Sequence, residues 1–225
     1  MDAEQKRHRR VEVFATVLLA LAAVATAWSS YQASRWNGEQ AKQTSTTNKL
    51  RFEATRAQGL SEAQKQADLA TFTQWVDAYL LGRTELRDFY FKRFRKEFKP
   101  AVVAWIATRP LKNPEAPLSP FVMPQYRLAA EAEAKQRDAE ANVSSALKDV
   151  YIQRSTDYVL AVVLFAAALF FAGISTKVPS PRQKEALLVI GAVIFVATAV
   201  WIATWPVSFS FSLSSFVPVI GTWWR

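Results

Sequence analysis

The run Phe14–Ala27 limits what this chain can fold into more than any other feature. It reads Phe-Ala-Thr-Val-Leu-Leu-Ala-Leu-Ala-Ala-Val-Ala-Thr-Ala, with no charge, Pro or Gly, and continues through Trp28-Ser29-Ser30-Tyr31-Gln32 to Arg35-Trp36. A helix from Val11 to Ser30 would rise about 30 Å, enough to cross the hydrocarbon of a bilayer. The stretch therefore reads as a transmembrane helix that leaves the membrane as a stalk. Lys6-Arg7-His8-Arg9-Arg10 and Ala25-Thr26-Ala27 also match the basic region and cleavage site of a signal peptide. The helical pattern runs through that site without a break, which favours an uncleaved span.

Within this helix Thr16, Ala20, Ala23, Ala27, Ser30, Ser34, Asn37 and Ala41 recur at steps of four and three. Lipid tails are as apolar as Leu, so helices associate in a bilayer through close backbone approach and hydrogen bonds, which small residues permit. Such a seam serves oligomerisation, a pore wall that would also recruit Thr26, or packing against the chain's other spans. Trp28, Tyr31 and Trp36 cluster where the apolar run meets water, and read as interfacial anchors. Arg35 and Glu39 can pair one turn apart.

Mean hydropathy is near zero, but only because three apolar blocks alternate with charged segments. The second block is Tyr158–Ser175 and the third Ala186–Trp205, which carries anchors Trp201 and Trp205 and is stopped by Pro206. The loop between them holds Pro179 and Pro181, so these spans form an antiparallel hairpin. Lys6, Arg7, Arg9 and Arg10 in the N-terminal tail, and Lys177, Arg182 and Lys184 in the hairpin loop, place both in the cytoplasm by the positive-inside rule. The expected order is a basic cytoplasmic tail (1–10), a first span (11–30), a helical extracytoplasmic insert (31–157), a second span (158–175), a cytoplasmic loop (176–185), a third span (186–205) and an interfacial tail (206–225). The fold class is all-α, an integral membrane protein with long stalk helices. The net charge of +9 beside three spans points to anionic headgroups rather than nucleic acid.

The insert reads as helical. The first stalk is expected to reach about Arg56 and break near Gly59, with Ser61 and Gln64 as a capping box for a new helix ending at Gly82. Thr84 could cap a third helix through Phe98, and Pro100 marks a break or a new first turn. Five prolines between Pro110 and Pro124 exclude regular helix. From Gln125 the pattern runs into the second span as a second stalk, antiparallel to the first. The tail Ser208–Ser214 alternates Ser with Phe209, Phe211 and Leu213, which argues for an extended segment.

The sharpest charge feature is Arg83–Lys99, where Arg83, Arg87, Lys92, Arg93, Arg95, Lys96 and Lys99 interleave with Phe89, Tyr90, Phe91, Phe94 and Phe98. Such a helix can lie on an anionic membrane or hold a partner through Arg87, Lys92, Arg93, Arg95, Lys96 and Lys99. It can equally bury its rings in a domain core with the cations solvated. His8 is the only His and there is no Cys, so the usual zinc and copper ligands are missing. No phosphate-binding glycine loop appears, and no ionisable residue lies mid-span as proton relays require. No cofactor, metal or catalytic residue is expected.

The run Ala25-Thr26-Ala27-Trp28-Ser29-Ser30-Tyr31-Gln32-Ala33-Ser34-Arg35-Trp36, with Gly38-Glu39-Gln40-Ala41, resembles the N-terminal segment of uncharacterised bacterial inner-membrane proteins. These share a first span, a helical insert and a closing two-span hairpin. The resemblance covers about the first fifth of the chain and implies no activity. The expected function is a non-enzymatic, homo-oligomeric assembly in the bilayer, with a channel along the first span as one form. The alternative is a membrane-anchored scaffold or sensor that binds a protein partner or anionic lipid through residues 83–99.

Overall fold

The computed structural model describes residues 3–208, with side chains from Arg9. It is all-helical, with no strand among the described residues: α1 Ala3–Leu80, α2 Thr84–Arg93, α3 Lys99–Ala107, α4 Ala129–Ser175 and α5 Pro181–Ala203, with a 3₁₀ turn at Pro120–Val122. Three helices, α1, α4 and α5, are long and apolar enough to cross a membrane. The alternating tail beyond Ser208 lies outside the described residues, as do the side chains of Lys6, Arg7 and His8.

Two units divide the chain, one made of residues up to Lys42 and from Leu147, the other of Gln43–Ala146. In the first unit α1, α4 and α5 pack through small contacts. Ala15 and Leu18 of α1 meet Ala172 of α4 and Leu188 of α5. Farther along, Ala33 and Trp36 meet Tyr158, and the Ser155 hydroxyl donates to the Ala33 carbonyl at 3.0 Å. Lys184 Nζ lies 3.7 Å from a Glu12 carboxylate oxygen, so the start of the α1 apolar segment and the first turn of α5 share one end of this bundle. At Gly191 an added Cβ would stand 3.2 Å from the Ala168 carbonyl oxygen and 3.4 Å from Phe171 Cβ. Glycine is what lets α5 approach the α4 backbone that closely. Gly191→Leu should therefore force the two helices apart and cost about 1–3 kcal/mol, read as a lower thermal midpoint of the solubilised protein, whereas Gly173→Ala should keep or slightly raise the midpoint, because nothing lies within 4 Å of its Cβ direction and Ala is the better helix former.

The expected break near Gly59 is absent. α1 runs through Gly38 and Gly59 without interruption, although each glycine costs a helix about 1 kcal/mol relative to Ala. A buried seam overrides that cost. Ala15, Leu19, Ala22, Thr26, Ser29, Ala33, Trp36 and Gln40 are each buried or half-buried, and the same four-three spacing continues through Gln43, Thr47, Leu50, Ala54, Ala57, Ser61, Gln64, Asp68, Thr71, Trp75 and Ala78. A sustained 3.5-residue repeat keeps one stripe facing its partner. Ser61, expected to cap a new helix, is instead fully buried on this seam. α1 ends at Leu80, and the chain turns at Gly82, whose φ of 67° is the left-handed conformation that glycine adopts without strain. The Arg83 amide then donates to Ala78 O at 2.9 Å, and the Gly82 amide to Tyr79 O at 3.3 Å, which satisfies the helix's last carbonyls.

In the second unit α4 runs antiparallel to α1. Thr47 Oγ1 donates to Ser144 Oγ at 2.9 Å, Arg51 pairs with Asp138 at 3.2 Å, and Lys65 with Glu131 at 3.1 Å. α2 ends at Arg93, earlier than the expected Phe98, and no side chain caps its start. Pro100 sits in the first turn of α3. Beyond α3 the chain turns at Arg109, a non-glycine residue with φ 54°.

Candidate functional site

The small-residue seam expected on the first span is not the seam that packs. Thr16, Ala20, Ala23, Ala27, Ser30, Ser34 and Asn37 are all exposed. They lie one residue, about 100° of helix, from the buried stripe. Thr26 does not belong with them. It is half-buried on the inner stripe, and its hydroxyl donates to Ala22 O at 2.7 Å. Thr16 donates to Glu12 O at 2.9 Å. The two threonines therefore differ in environment, one exposed and one half-buried.

Among the expected anchors, Trp28 and Tyr31 are exposed, with ring centroids 5.9 Å apart. Trp201 is exposed and meets the half-buried Trp205 edge-on at 4.4 Å. Trp36 differs from the expected anchor. It is 7% exposed, packs on Tyr151 at 5.5 Å, and lies under the Arg154 guanidinium at 4.6 Å. It is a core ring rather than a headgroup anchor. Arg35 and Glu39 do approach, at 3.9 Å.

Gln32 carried no signal in the sequence. It is fully buried, its Oε1 accepts the Ser208 amide at 3.2 Å, and its Nε2 donates to Ser208 O at 3.4 Å. One side-chain amide thus holds the backbone that follows α5, meeting polar groups that burial would otherwise leave unpaired.

The basic-aromatic segment 83–99 turns all of its rings but the exposed Phe89 inward. Phe94 and Phe98 join Phe72, Trp75 and Val102 in one buried cluster, with Tyr90, Phe91, Trp105, Phe121 and Tyr126 packed around it. Several of its cations are engaged: Arg93 lies 3.6 Å over the Phe89 ring and Lys99 4.9 Å from the Phe91 centroid. Arg87 pairs with Asp88 at 2.8 Å. Lys92 and Lys96 remain exposed.

Beside this cluster sits the most buried charge of the second unit. Asp68, 1% exposed, accepts from Arg95 Nη1 at 2.9 Å and from the Tyr126 hydroxyl at 3.1 Å. Arg95 also pairs with Glu97, whose other oxygen accepts the Ala129 amide at 3.0 Å. Glu97 thereby places a carboxylate at the N-terminus of α4, where the helix dipole favours it. Burial pushes the Asp68 carboxyl above its usual range, against the opposing pull of Arg95 and Tyr126. Burial beside that carboxylate also raises the Tyr126 phenol. The Ala129 amide, and then Arg95, hold Glu97 below the usual range. The network ties α1, the turn before α3, the following loop and the start of α4 to one another. Among the described residues, no three or more of His, Cys, Asp and Glu gather to hold a metal ion.

No family model matches the chain, and no curated protein or solved structure matches it significantly. The resemblance of residues 25–41 to bacterial inner-membrane proteins therefore confers no family membership. A sequence signal did exist for the correct seam. Carried past Ala41, the exposed register becomes Thr44, Asn48, Arg51, Thr55, Gln58 and Glu62, whereas the buried one reads Gln43, Thr47, Leu50, Ala54, Ala57 and Ser61. Nothing comparable marks Asp68 or Gln32, whose partners are distant in sequence.

Proposed function

We propose that this is a non-enzymatic membrane protein that self-associates through the outer, small-residue stripe of α1. In this reading it lies in a bacterial inner membrane. Its N-terminus and hairpin loop are cytoplasmic, and residues 31–157 and the C-terminal tail lie outside. The orientation is supported by the basic residues near one end of the bundle, where Glu12 and Lys184 meet. One observation supports self-association above the others: Ala20, Ala23 and Ala27 stay exposed after the adjacent stripe has met the chain's own packing needs. A second copy can approach a backbone closely along such a stripe.

The chain has no Cys, so single-cysteine variants give clean probes. Oxidative cross-linking should join copies at Ala23→Cys and Ala27→Cys but not at the buried Ala22→Cys. The native particle should have a multiple of the 25.3 kDa chain mass, which Ala23→Leu with Ala27→Leu should reduce to a single chain. A monomeric native particle, or equal cross-linking at positions 22 and 23, would overturn the reading. A pore lined by Thr16 and Thr26 would need the half-buried Thr26 to face the axis beside the exposed Thr16. The alternative, a scaffold or sensor that binds a protein partner or anionic lipid through residues 83–99, would rest on the exposed Phe89, Lys92, Arg93 and Lys96, since Phe94 and Phe98 belong to the domain core.

A further inference from the structure

The second unit contains a cavity of about 400 Å³ that the proposed self-association does not use. One wall is Trp75 stacked on Tyr79, with ring centroids 5.3 Å apart and planes 21° from parallel. Trp105 and Ile106 of α3 also line it, and Trp105 is held in place by donating its indole N–H to Pro117 O at 2.7 Å. Arg109 and Lys112 complete the lining, which includes no Asp or Glu. Among the described residues neither cation enters an ion pair, and both are exposed.

Arg109 also holds an unusual backbone. Its φ of 54° is a conformation that glycine adopts freely and side chains resist. The turn fixes it there: the Arg109 amide donates to Ile106 O at 3.0 Å, while Arg109 O accepts the Lys112 and Asn113 amides at 2.9 and 3.0 Å. The next residue, Pro110, has no N–H to complete the usual two-bond helix ending. A position suited to glycine thus carries a guanidinium at the edge of an aromatic cavity. Strain of this kind points toward function.

We infer that this cavity binds a single-chain anionic amphiphile, with the acyl chain against Trp75, Tyr79 and Trp105 and a carboxylate or phosphate head held by Arg109 and Lys112. The volume lies at the small end of ligand cavities, which suits one chain rather than a diacyl lipid. Arginine and lysine together favour an anionic head through charge-assisted hydrogen bonds.

The test uses the full chain in phosphatidylcholine nanodiscs with a diazirine-bearing dodecanoate, and the adducts are mapped by peptide mass spectrometry. Adducts should concentrate within residues 75–80 and 105–112. Unlabelled dodecanoate and dodecyl phosphate should displace the probe, and the one that acts at lower concentration identifies the head group. Dodecanol should compete about tenfold more weakly or worse. Arg109→Gly combined with Lys112→Gln should lower labelling there by about tenfold or more. Glycine suits the left-handed turn, so this variant should keep its unfolding midpoint. Unchanged labelling in the double variant, or dodecanol competing as well as dodecanoate, would overturn the proposal.

Discussion

Arg95→Ala should destabilise the second unit by about 3–5 kcal/mol, because it leaves a buried carboxylate without its counterion. Asp68 is 1% exposed and would retain only the Tyr126 hydroxyl, 3.1 Å away. Amide hydrogen exchange across α2 and α3 should accelerate by about a hundredfold or more. Two companion results separate lost charge balance from lost packing. Asp68→Leu on top of Arg95→Ala should recover most of the protection, since the unpaired charge is then gone. Lowering the pH should shrink the defect of Arg95→Ala, because burial already raises the Asp68 carboxyl and its protonated form needs no counterion. The sign follows from linkage: a carboxyl whose folded pKa lies above its unfolded value gains stability as pH falls toward that unfolded value. A defect that grows on acidification would contradict this account of Asp68.

Phe98→Ala should cost a similar amount, about 3–5 kcal/mol, through the cavity it leaves. The ring is fully buried. It stacks on Phe121 at 5.1 Å and meets Phe94, Tyr126 and Phe72 edge-on at 5.2, 5.6 and 6.0 Å. These contacts join the turn before α3 to α1 and to the proline-rich loop, so the loss should appear in all three segments together. Near-UV circular dichroism should weaken, and protease cutting should appear between Arg109 and Arg127. Phe89→Ala in the same segment should change little, because Phe89 is 45% exposed. If both variants behave alike, the rings of residues 83–99 do not divide into core and surface as described.

The seam on α1 shows how far sequence periodicity reaches. Two adjacent registers of small residues both satisfy a four-three repeat between Ala15 and Ser34, and inside lipid nothing apolar distinguishes them, because exposing Ala or Leu to acyl chains costs almost nothing. The choice is made where the helix runs in water. There one register presents Leu50, Ala54, Ala57 and Trp75 for burial, and the other would bury Arg51 and Glu62. An unbroken helix can obey only one register. Within the second unit the hydrophobic effect favours the register of Leu50, Ala54, Ala57 and Trp75, and in the first unit the buried residues Ala15, Ala22, Ser29 and Trp36 keep the same spacing. Gly59 stays helical for a related reason: local propensity marks a break worth about 1 kcal/mol, and burial of the seam on both sides outweighs it.

Composition and order by themselves determined that the chain is helical, that three segments can cross a bilayer, and that α4 runs from a stalk into a span without interruption. Each of these depends on local properties: apolar length, the absence of Pro, and the need of backbone groups in lipid to pair within their own segment. Only the tertiary structure decided that Trp36 is core rather than anchor, that Tyr90, Phe91, Phe94 and Phe98 face inward while Phe89 does not, and that Gln32, Asp68 and Glu97 each hold a group far away in the chain. Those roles depend on which distant groups folding brings within about 3 Å, and a polar side chain shows no sign of its partner until the chain has closed around it.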